Sequence, residues 1–191
     1  MDRITVCSFA TELGWMALAL DGERLLHVVF AERDEVSALG RLPLNLRESG
    51  RPAGPRHWLA RRLIAYAAGE EMDFDDVQVD VAHLGPFQRR VVTACRRIGY
   101  GETLSYGEVA AAAGSAGAAR AVGSVMRINR CPLVVPCHRV VAAGGKLGGF
   151  SCPEGVSFKA RLLALENGQQ LIAETKKRAK TGRRQPTLAG G

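Results

Sequence analysis

The chain has 191 residues, of which 47% are apolar and 24% are charged, so it can build a hydrophobic core in one large domain or two small ones. No apolar stretch reaches the length of a membrane span and the N-terminus lacks a signal-peptide hydrophobic region; we expect an intracellular protein without membrane contact, cytoplasmic in a bacterium or nuclear in a eukaryote. The five cysteines include no Cys-x-x-Cys pair, which argues against a disulfide framework and against a zinc site built from paired cysteines.

The net charge of +7 is unevenly distributed along the chain. Residues 1–84 carry a net charge of −5, residues 85–172 carry +7 and residues 173–191 carry +5. A positive part beside a negative one favours a polyanionic partner for the positive part, with nucleic acid first. The alternative is that its Arg-rich helices are simply solvated surfaces.

The N-terminal part is predicted to be a small sheet with one helix. Residues 4–9, 15–20 and 25–30 have the composition of strands, and turn residues separate them, which predicts a three-stranded antiparallel meander. Residues 40–55 hold three Pro and three Gly among polar residues and predict a loop. An amphipathic helix over residues 56–68 follows, and then a short strand over 77–81.

The rest of the chain is predicted to be mainly helical. Gly85-Pro86 opens a new element, because Pro is favourable in the first turn of a helix, and we place a domain boundary near His83. Ser105 and Glu108 have the spacing of a capping box. The predicted helices cover residues 87–98, 105–113, 118–128 and 158–167.

These elements predict an α+β protein. A small N-terminal antiparallel-sheet domain would span residues 1–83, and a mainly helical C-terminal domain with a helix-turn-helix would span residues 84–172. Residues 173–191 carry six basic side chains and few apolar ones, so we expect a disordered basic tail.

The second helix of the predicted helix-turn-helix is unusually small-sided. Residues 118–124 are all Ala, Gly, Val or Ser except Arg120. Small side chains allow a helix backbone to come close to whatever it faces, either another helix in the core or a DNA groove. Arg120 favours the groove, because a buried Arg would need a partner.

One pentapeptide carries the strongest chemical signal: Pro136-Cys137-His138-Arg139-Val140 follows a short apolar run. A cysteine is a strong nucleophile where its surroundings help it to become a thiolate. The dipeptide alone proves little, since a reactive cysteine also needs a base, a pocket and a substrate.

Together with its surroundings, this pentapeptide resembles the catalytic domain of the O6-alkylguanine-DNA alkyltransferases, also called methylated-DNA–protein-cysteine methyltransferases. The matching segments occur in the family's order, and Thr-Glu-Leu-Gly-Trp (11–15) is similar to its first domain. They are Gly-Pro-Phe-Gln-Arg (85–89), Ile-Gly-Tyr-Gly-Glu-Thr-Leu-Ser-Tyr-Gly-Glu (98–108), Ala-Ala-Arg-Ala-Val-Gly (118–123), Pro-Cys-His-Arg-Val-Val (136–141), Gly-Gly-Phe-Ser (148–151) and Lys-Ala-Arg-Leu-Leu-Ala-Leu-Glu (159–166).

The resemblance implies DNA repair by direct reversal, with the alkyl group of O6-alkylguanine in double-stranded DNA moving to Cys137. His138 would act as base through a water, Glu166 would orient His138, and Asn129 would brace the active-site turn. Tyr106 would crowd the target phosphate and donate a hydrogen bond to the guanine. The thioether product cannot be regenerated, so each molecule would react once.

The resemblance also implies base flipping from the minor groove, with Arg120 filling the gap in the duplex. The DNA-binding set is Arg120, Tyr106, Ala119, Ser124 and Arg127. Around the flipped guanine, the pocket would comprise Val140, Phe150, Ser151 and Lys159. We expect no metal, no cofactor and a monomer.

The chain departs from the family pattern at two places. Asn129 is followed by Arg130-Cys131-Pro132 rather than directly by Pro, and the loop over residues 152–156 is longer than usual. Cys152 in that loop could form a regulatory disulfide with Cys137. Two other functions remain open from the sequence: an alkyltransferase-like protein that binds lesions without reacting, and a cysteine hydrolase.

Overall fold

The computed structural model describes residues 4–152 and 154–168. Within them, four strands form one sheet in the order β3-β2-β1-β4. The first three, β1 (Ile4–Thr11), β2 (Gly14–Asp21) and β3 (Arg24–Glu32), are antiparallel neighbours. The predicted meander is therefore confirmed.

The predicted loop over residues 40–55 is wrong for much of its length. Helices α1 (Glu35–Arg41) and α2 (Leu44–Ser49) precede β4 (Arg51–Ala53), which pairs in parallel with β1. The Asp34 side chain caps α1 by accepting a hydrogen bond from the Ser37 backbone N–H at 2.7 Å. This segment folds because its few apolar side chains cover the second face of the sheet, which outweighs the turn-forming composition.

The predicted helix over residues 56–68 is confirmed as α3 (Trp58–Ala67). The predicted strand over 77–81 is wrong, because only an isolated parallel bridge joins Val79 to Leu25. The Leu25 N–H donates to Gln78 O at 2.7 Å, and the Asp80 N–H donates to Leu25 O at 2.8 Å. This segment crosses the end of the sheet without extending it.

The C-terminal part contains the predicted helices with slightly different ends. They are α4 (Pro86–Arg96), α5 (Tyr106–Ala112), α6 (Ala119–Arg127) and α7 (Val156–Glu166). The capping box of α5 is confirmed, since Ser105 and Glu108 each accept from the other's backbone N–H, at 3.2 and 2.7 Å. Two short strands, β5 (Leu104–Ser105) and β6 (Val140–Val141), pair in parallel and tie α5 to the cysteine segment.

One hydrophobic core runs through both parts of the chain. A single cluster includes Leu18 of the sheet, Val91 of α4 and Phe158 of α7. The edge of β3 also contacts the active-site segment, because the Val28 N–H donates to Arg130 O at 2.8 Å. The domain boundary near His83 therefore stays a prediction, and the residues before and after it share one hydrophobic core.

Among the described residues, no helix is long and apolar enough to cross a bilayer. The tail predicted over residues 173–191 lies outside the described residues.

Candidate active site

The cysteine segment is held in a tight backbone turn. Pro136 precedes a single 3-10 turn over Cys137–Arg139. The Cys137 N–H donates to Val135 O at 2.7 Å, and the Val140 N–H donates to Cys137 O. Strand β6 then continues into the β5 pairing. This turn leaves Cys137 only 7% exposed, at one wall of a cavity.

Asn129 is hydrogen-bonded to this turn. Its Nδ2 donates to Val135 O at 2.9 Å and to Cys137 Sγ at 3.2 Å. Its Oδ1 accepts from the Cys131 N–H at 3.0 Å. Arg130 therefore does not disrupt the turn, although it stands where the family pattern has Pro.

His138 and Glu166 form a buried pair behind the cysteine. His138 Nε2 lies 2.7 Å from Glu166 Oε1, and both side chains are almost fully buried. The other ring nitrogen, Nδ1, is buried without a hydrogen-bond partner among the described residues. Since a carboxylate can only accept, Nε2 carries the proton and Nδ1 presents a lone pair.

Two further side chains converge on the same carboxylate. Arg139 donates from Nε to Glu166 Oε2 at 2.9 Å and from Nη2 to Oε1 at 3.0 Å. From α3, the Tyr66 hydroxyl donates to Oε1 at 2.7 Å. The Gly101 N–H adds a bond to Oε2 at 3.2 Å. Glu166 is thus a buried anion with a full set of donors.

These contacts determine the charge states of the pair. Burial raises the pKa of Glu166, but the hydrogen bonds from His138 and Arg139 and the positive charge of Arg139 outweigh it and lower the pKa to about 2. Burial lowers the pKa of His138 and outweighs the opposing effect of Glu166. At neutral pH the pair is therefore a carboxylate beside a neutral imidazole.

The thiol of Cys137 is protonated at rest. Burial raises its pKa, while the Asn129 hydrogen bond and the charge of Lys159 act in the opposite direction. Lys159 is itself fully buried, its Nζ donates to Val140 O, and burial lowers its pKa. A base must therefore remove the proton before the sulfur can react.

The cavity beside Cys137 has a volume of about 420 Å³. It brings together seven residues that the sequence predicted: Tyr106, Ala119, Arg120, Arg127, Cys137, Phe150 and Ser151. Ser124 lies on the exposed face of α6 but outside the lining. Val140 and Lys159 lie behind the wall, where the Val140 carbonyl accepts from Lys159.

Tyr106 forms one side of the cavity and is held from three directions. Lys159 Nζ lies 5.8 Å from its ring centroid. Gly148 approaches it so closely that an added Cβ would stand 3.0 Å from a ring carbon, whereas a Cβ at Gly123 would make an ordinary contact at 3.8 Å. Burial, followed by the charge of Cys137, raises the pKa of Tyr106, so its hydroxyl stays a donor.

The cavity rim on α6 is positively charged. Arg120 and Arg127 are exposed, and the Arg120 side chain has no ion pair or hydrogen bond within the part of the chain that the structure describes.

Cys137 and Cys152 are both free thiols. Among the described residues, no group of three or more acidic, His or Cys side chains is placed to hold a metal ion.

Comparisons with known proteins agree with this arrangement. Residues 86–168 match the family described as 6-O-methylguanine DNA methyltransferase, DNA binding domain. A methylated-DNA–protein-cysteine methyltransferase of Methanosarcina acetivorans is 38% identical over 159 residues, which are 83% of this chain and 95% of the relative. The chain belongs to the methylated-DNA–protein-cysteine methyltransferase family.

A second methyltransferase, from Mycolicibacterium paratuberculosis, is 50% identical over 105 residues. That alignment covers 55% of this chain and 61% of the relative, less than two thirds of its length. The crystal structure of Mycobacterium tuberculosis OGT in complex with DNA has a TM-score of 0.72 at 36% identity, covering 86% of this chain and 94% of that one. The α+β fold and the family resemblance seen in the sequence are therefore confirmed.

Sequence reasoning missed several residues of this methyltransferase site. Arg139 had a signal, since it directly follows His138 in the quoted pentapeptide, but its side chain could equally have faced solvent. Tyr66 had none, because it lies 100 residues before Glu166 in an amphipathic helix where an aromatic residue indicates core packing. Met126 lines the cavity and carried only the signal of an apolar helix position.

Proposed function

We propose that this methyltransferase repairs O6-alkylguanine in double-stranded DNA by moving the alkyl group from guanine O6 to Cys137 Sγ. The observation that carries the proposal is a buried cysteine at the wall of a 420 Å³ cavity, next to a buried neutral His and a fully hydrogen-bonded carboxylate. A cavity of this volume is large enough for a base.

The proposed chemistry begins with the thiol proton. Nδ1 of His138 is a buried acceptor without a protein partner, and a buried nitrogen of this kind is costly unless a water satisfies it. We assign to that water the transfer of the Cys137 proton to Nδ1. Glu166 then stabilises the imidazolium, and the Asn129 N–H stabilises the thiolate.

The thiolate attacks the alkyl carbon in line with its bond to O6. The S–C bond forms, the C–O bond breaks, and the electron pair of that bond stays on the guanine. Tyr106 lies at the cavity wall as a protonated donor and would hydrogen-bond or protonate the leaving base. A thioether is a poor leaving group, so each protein molecule would react once.

Access to Cys137 requires the guanine to leave the duplex. At 7% exposure, the sulfur cannot reach a base that remains stacked. We propose that α6 enters the minor groove, because its exposed face is small-sided and carries Arg120 at the cavity rim. Ala119, Ser124 and Arg127 would contact the DNA backbone beside Arg120.

Phe150 and Ser151 line the cavity and would contact the flipped guanine. The Val140 carbonyl already accepts from Lys159, so it can bind the guanine amino group only with its second lone pair. Because every proposed site residue comes from one chain, we propose a monomer. We further propose that it acts where the DNA lies, in the cytoplasm of a bacterium or archaeon.

The decisive experiment is mass spectrometry of the protein after incubation with a duplex that contains O6-methylguanine. We expect a gain of one methyl group on the peptide that contains Cys137. Cys152→Ser should gain it as well, whereas Cys137→Ala should bind the duplex without gaining it. Binding by the unmodified protein without any mass change would instead indicate a lesion-binding protein that does not react.

Arg120→Ala tests the base-flipping step. Transfer from duplex DNA should slow by about tenfold, which corresponds to about 1.4 kcal/mol of activation free energy. Reaction with free O6-benzylguanine, which needs no flipping, should change little. Equal losses on both substrates would contradict the assigned role.

A parallel removal of residues 173–191 should reduce the salt dependence of DNA binding if the tail contacts phosphates.

A further inference from the structure

Helix α3 of the N-terminal part contributes a polar group to the buried relay. Tyr66 is 1% exposed, and its hydroxyl donates to Glu166 Oε1 at 2.7 Å. The same hydroxyl oxygen lies 3.3 Å from His138 Nε2, which is itself 2.7 Å from Oε1. Because Arg139 Nη2 also donates to Oε1, at 3.0 Å, three side chains meet at this carboxylate oxygen.

The hydroxyl is more than packing requires. The Tyr66 ring packs edge-on against Phe74 and Tyr100, with centroids 6.1 Å away in each case. A phenylalanine ring would fill the same space. What the hydroxyl adds is a further donor on the oxygen that already accepts from His138 and Arg139.

A donor on a carboxylate weakens that carboxylate as an acceptor for its other donors, because it stabilises part of the negative charge. With Tyr66 in place, Glu166 attracts the Nε2 proton of His138 less strongly. Less electron density then reaches Nδ1, the nitrogen assigned as base. The Tyr66 hydroxyl keeps its proton throughout, because burial and the charge of Glu166 both raise its pKa.

We propose that Tyr66 is a positioning residue for the alkyl-transfer reaction: its hydroxyl orients Glu166 and limits the proton affinity of His138. This inference rests on the proposed function, in which His138 accepts the proton of Cys137. It also makes the N-terminal part a component of the reaction centre, beyond any role in folding or DNA contact.

The test is the pH dependence of single-turnover methyl transfer to Cys137, followed by quenching and mass spectrometry. Removing the hydroxyl in Tyr66→Phe should make His138 more basic. The midpoint of the acidic limb should move to higher pH by about half a unit to one unit, a roughly three- to tenfold change in proton affinity. The His138 ring signals, followed by NMR during a pH titration without DNA, should show a shift in the same direction.

Tyr100→Phe is the matched control, since its ring touches Tyr66 and its hydroxyl has no hydrogen bond within the described residues. Its profile should coincide with that of the wild type. Tyr66→3-fluorotyrosine keeps the packing and provides a stronger donor, so it should move the midpoint to lower pH. This variant also keeps the test available if Tyr66→Phe does not fold.

Three outcomes separate the possibilities. Shifts of opposite sign in the two Tyr66 variants support the proposal. Overlapping profiles, or a rate loss that is equal at every pH, overturn it and leave Tyr66 with a structural role. If the wild type gains no methyl group, the proposed function itself fails, whatever the Tyr66 variants do.

Discussion

Acidification should destabilise the folded protein through Glu166 in a defined pH window. Its carboxylate is buried and accepts from Tyr66, His138, Arg139 and the Gly101 N–H. Those donors lower its pKa from 4.5 to about 2 in the folded state. Because the folded pKa lies below the unfolded one, the unfolded chain takes up this proton first. The stabilisation is complete above the unfolded value and disappears as the pH falls toward the folded value.

The magnitude follows from the two pKa values. Each pKa unit corresponds to about 1.4 kcal/mol, so ionised Glu166 contributes about 3 kcal/mol to the free energy of unfolding at neutral pH. By linkage, about 2 kcal/mol of this is lost when the pH reaches 3. Acidification also lowers the free energy of unfolding through His138, beginning at higher pH. Burial lowers the pKa of His138 below 6.5 in the folded state, so the unfolded chain takes up the imidazole proton more readily.

The assay is urea unfolding of the wild type and Glu166→Gln at a series of pH values between 7 and 3. At pH 7 the variant should be less stable by about 3–5 kcal/mol, since Arg139 is left as a buried unpaired charge. Below pH 4.5 the two stability curves should converge, because only the wild type loses the Glu166 contribution. Parallel curves through that window would refute a strongly lowered Glu166 pKa.

Three further substitutions test the cavity wall and the turn that holds Cys137. Gly148→Ala and Gly144→Ala both place alanine at positive φ, which costs about 1–2 kcal/mol each. Only at Gly148 would the new Cβ press on Tyr106, at 3.0 Å, so only that variant should lose methyl-transfer rate. Equal rates in the two variants would contradict the contact. Asn129→Ala removes three hydrogen bonds and should lower the free energy of unfolding by about 2–4 kcal/mol. The same change should raise the pKa of the Cys137 thiol, measured by thiolate absorbance against pH, and an unchanged titration would exclude Asn129 as the donor that stabilises the sulfur.

Much of the fold was predictable because local signals and tertiary packing agree there. The capping box at Ser105 and the turn residues between the strands of the meander each specify an element without help from distant residues. The segment over residues 40–55 shows the opposite case. Its Pro and Gly content favours turns, yet a few apolar side chains on the second face of the sheet hold it in helices and a strand.

The candidate site was predictable only where a motif carried it. Cys137 and His138 are adjacent in a recognisable motif. Glu166 by itself looks like an ordinary helix-end carboxylate, so its role could be predicted only from the family resemblance. Tyr66 and Arg139 belong to the site because of where folding places them. Tyr66 has no sequence neighbour that would indicate a contact with Glu166, and Arg139 follows His138 directly but could equally have faced solvent.

The charge balance around the cysteine suits a reagent that is stable at rest and reactive when its proton leaves. Arg139 neutralises Glu166 and His138 is uncharged, so the resting relay is neutral overall. Within the part of the chain that the structure describes, a protonated Lys159 has no counter-charge until Cys137 becomes a thiolate, and each charge favours the other. Separating charge in an apolar cavity would normally oppose deprotonation of Cys137. In the proposed reaction, deprotonation instead completes an ion pair between the thiolate and Lys159. Alkylation removes the sulfur's charge and with it this pairing, so the balance that favours the first transfer is absent afterwards.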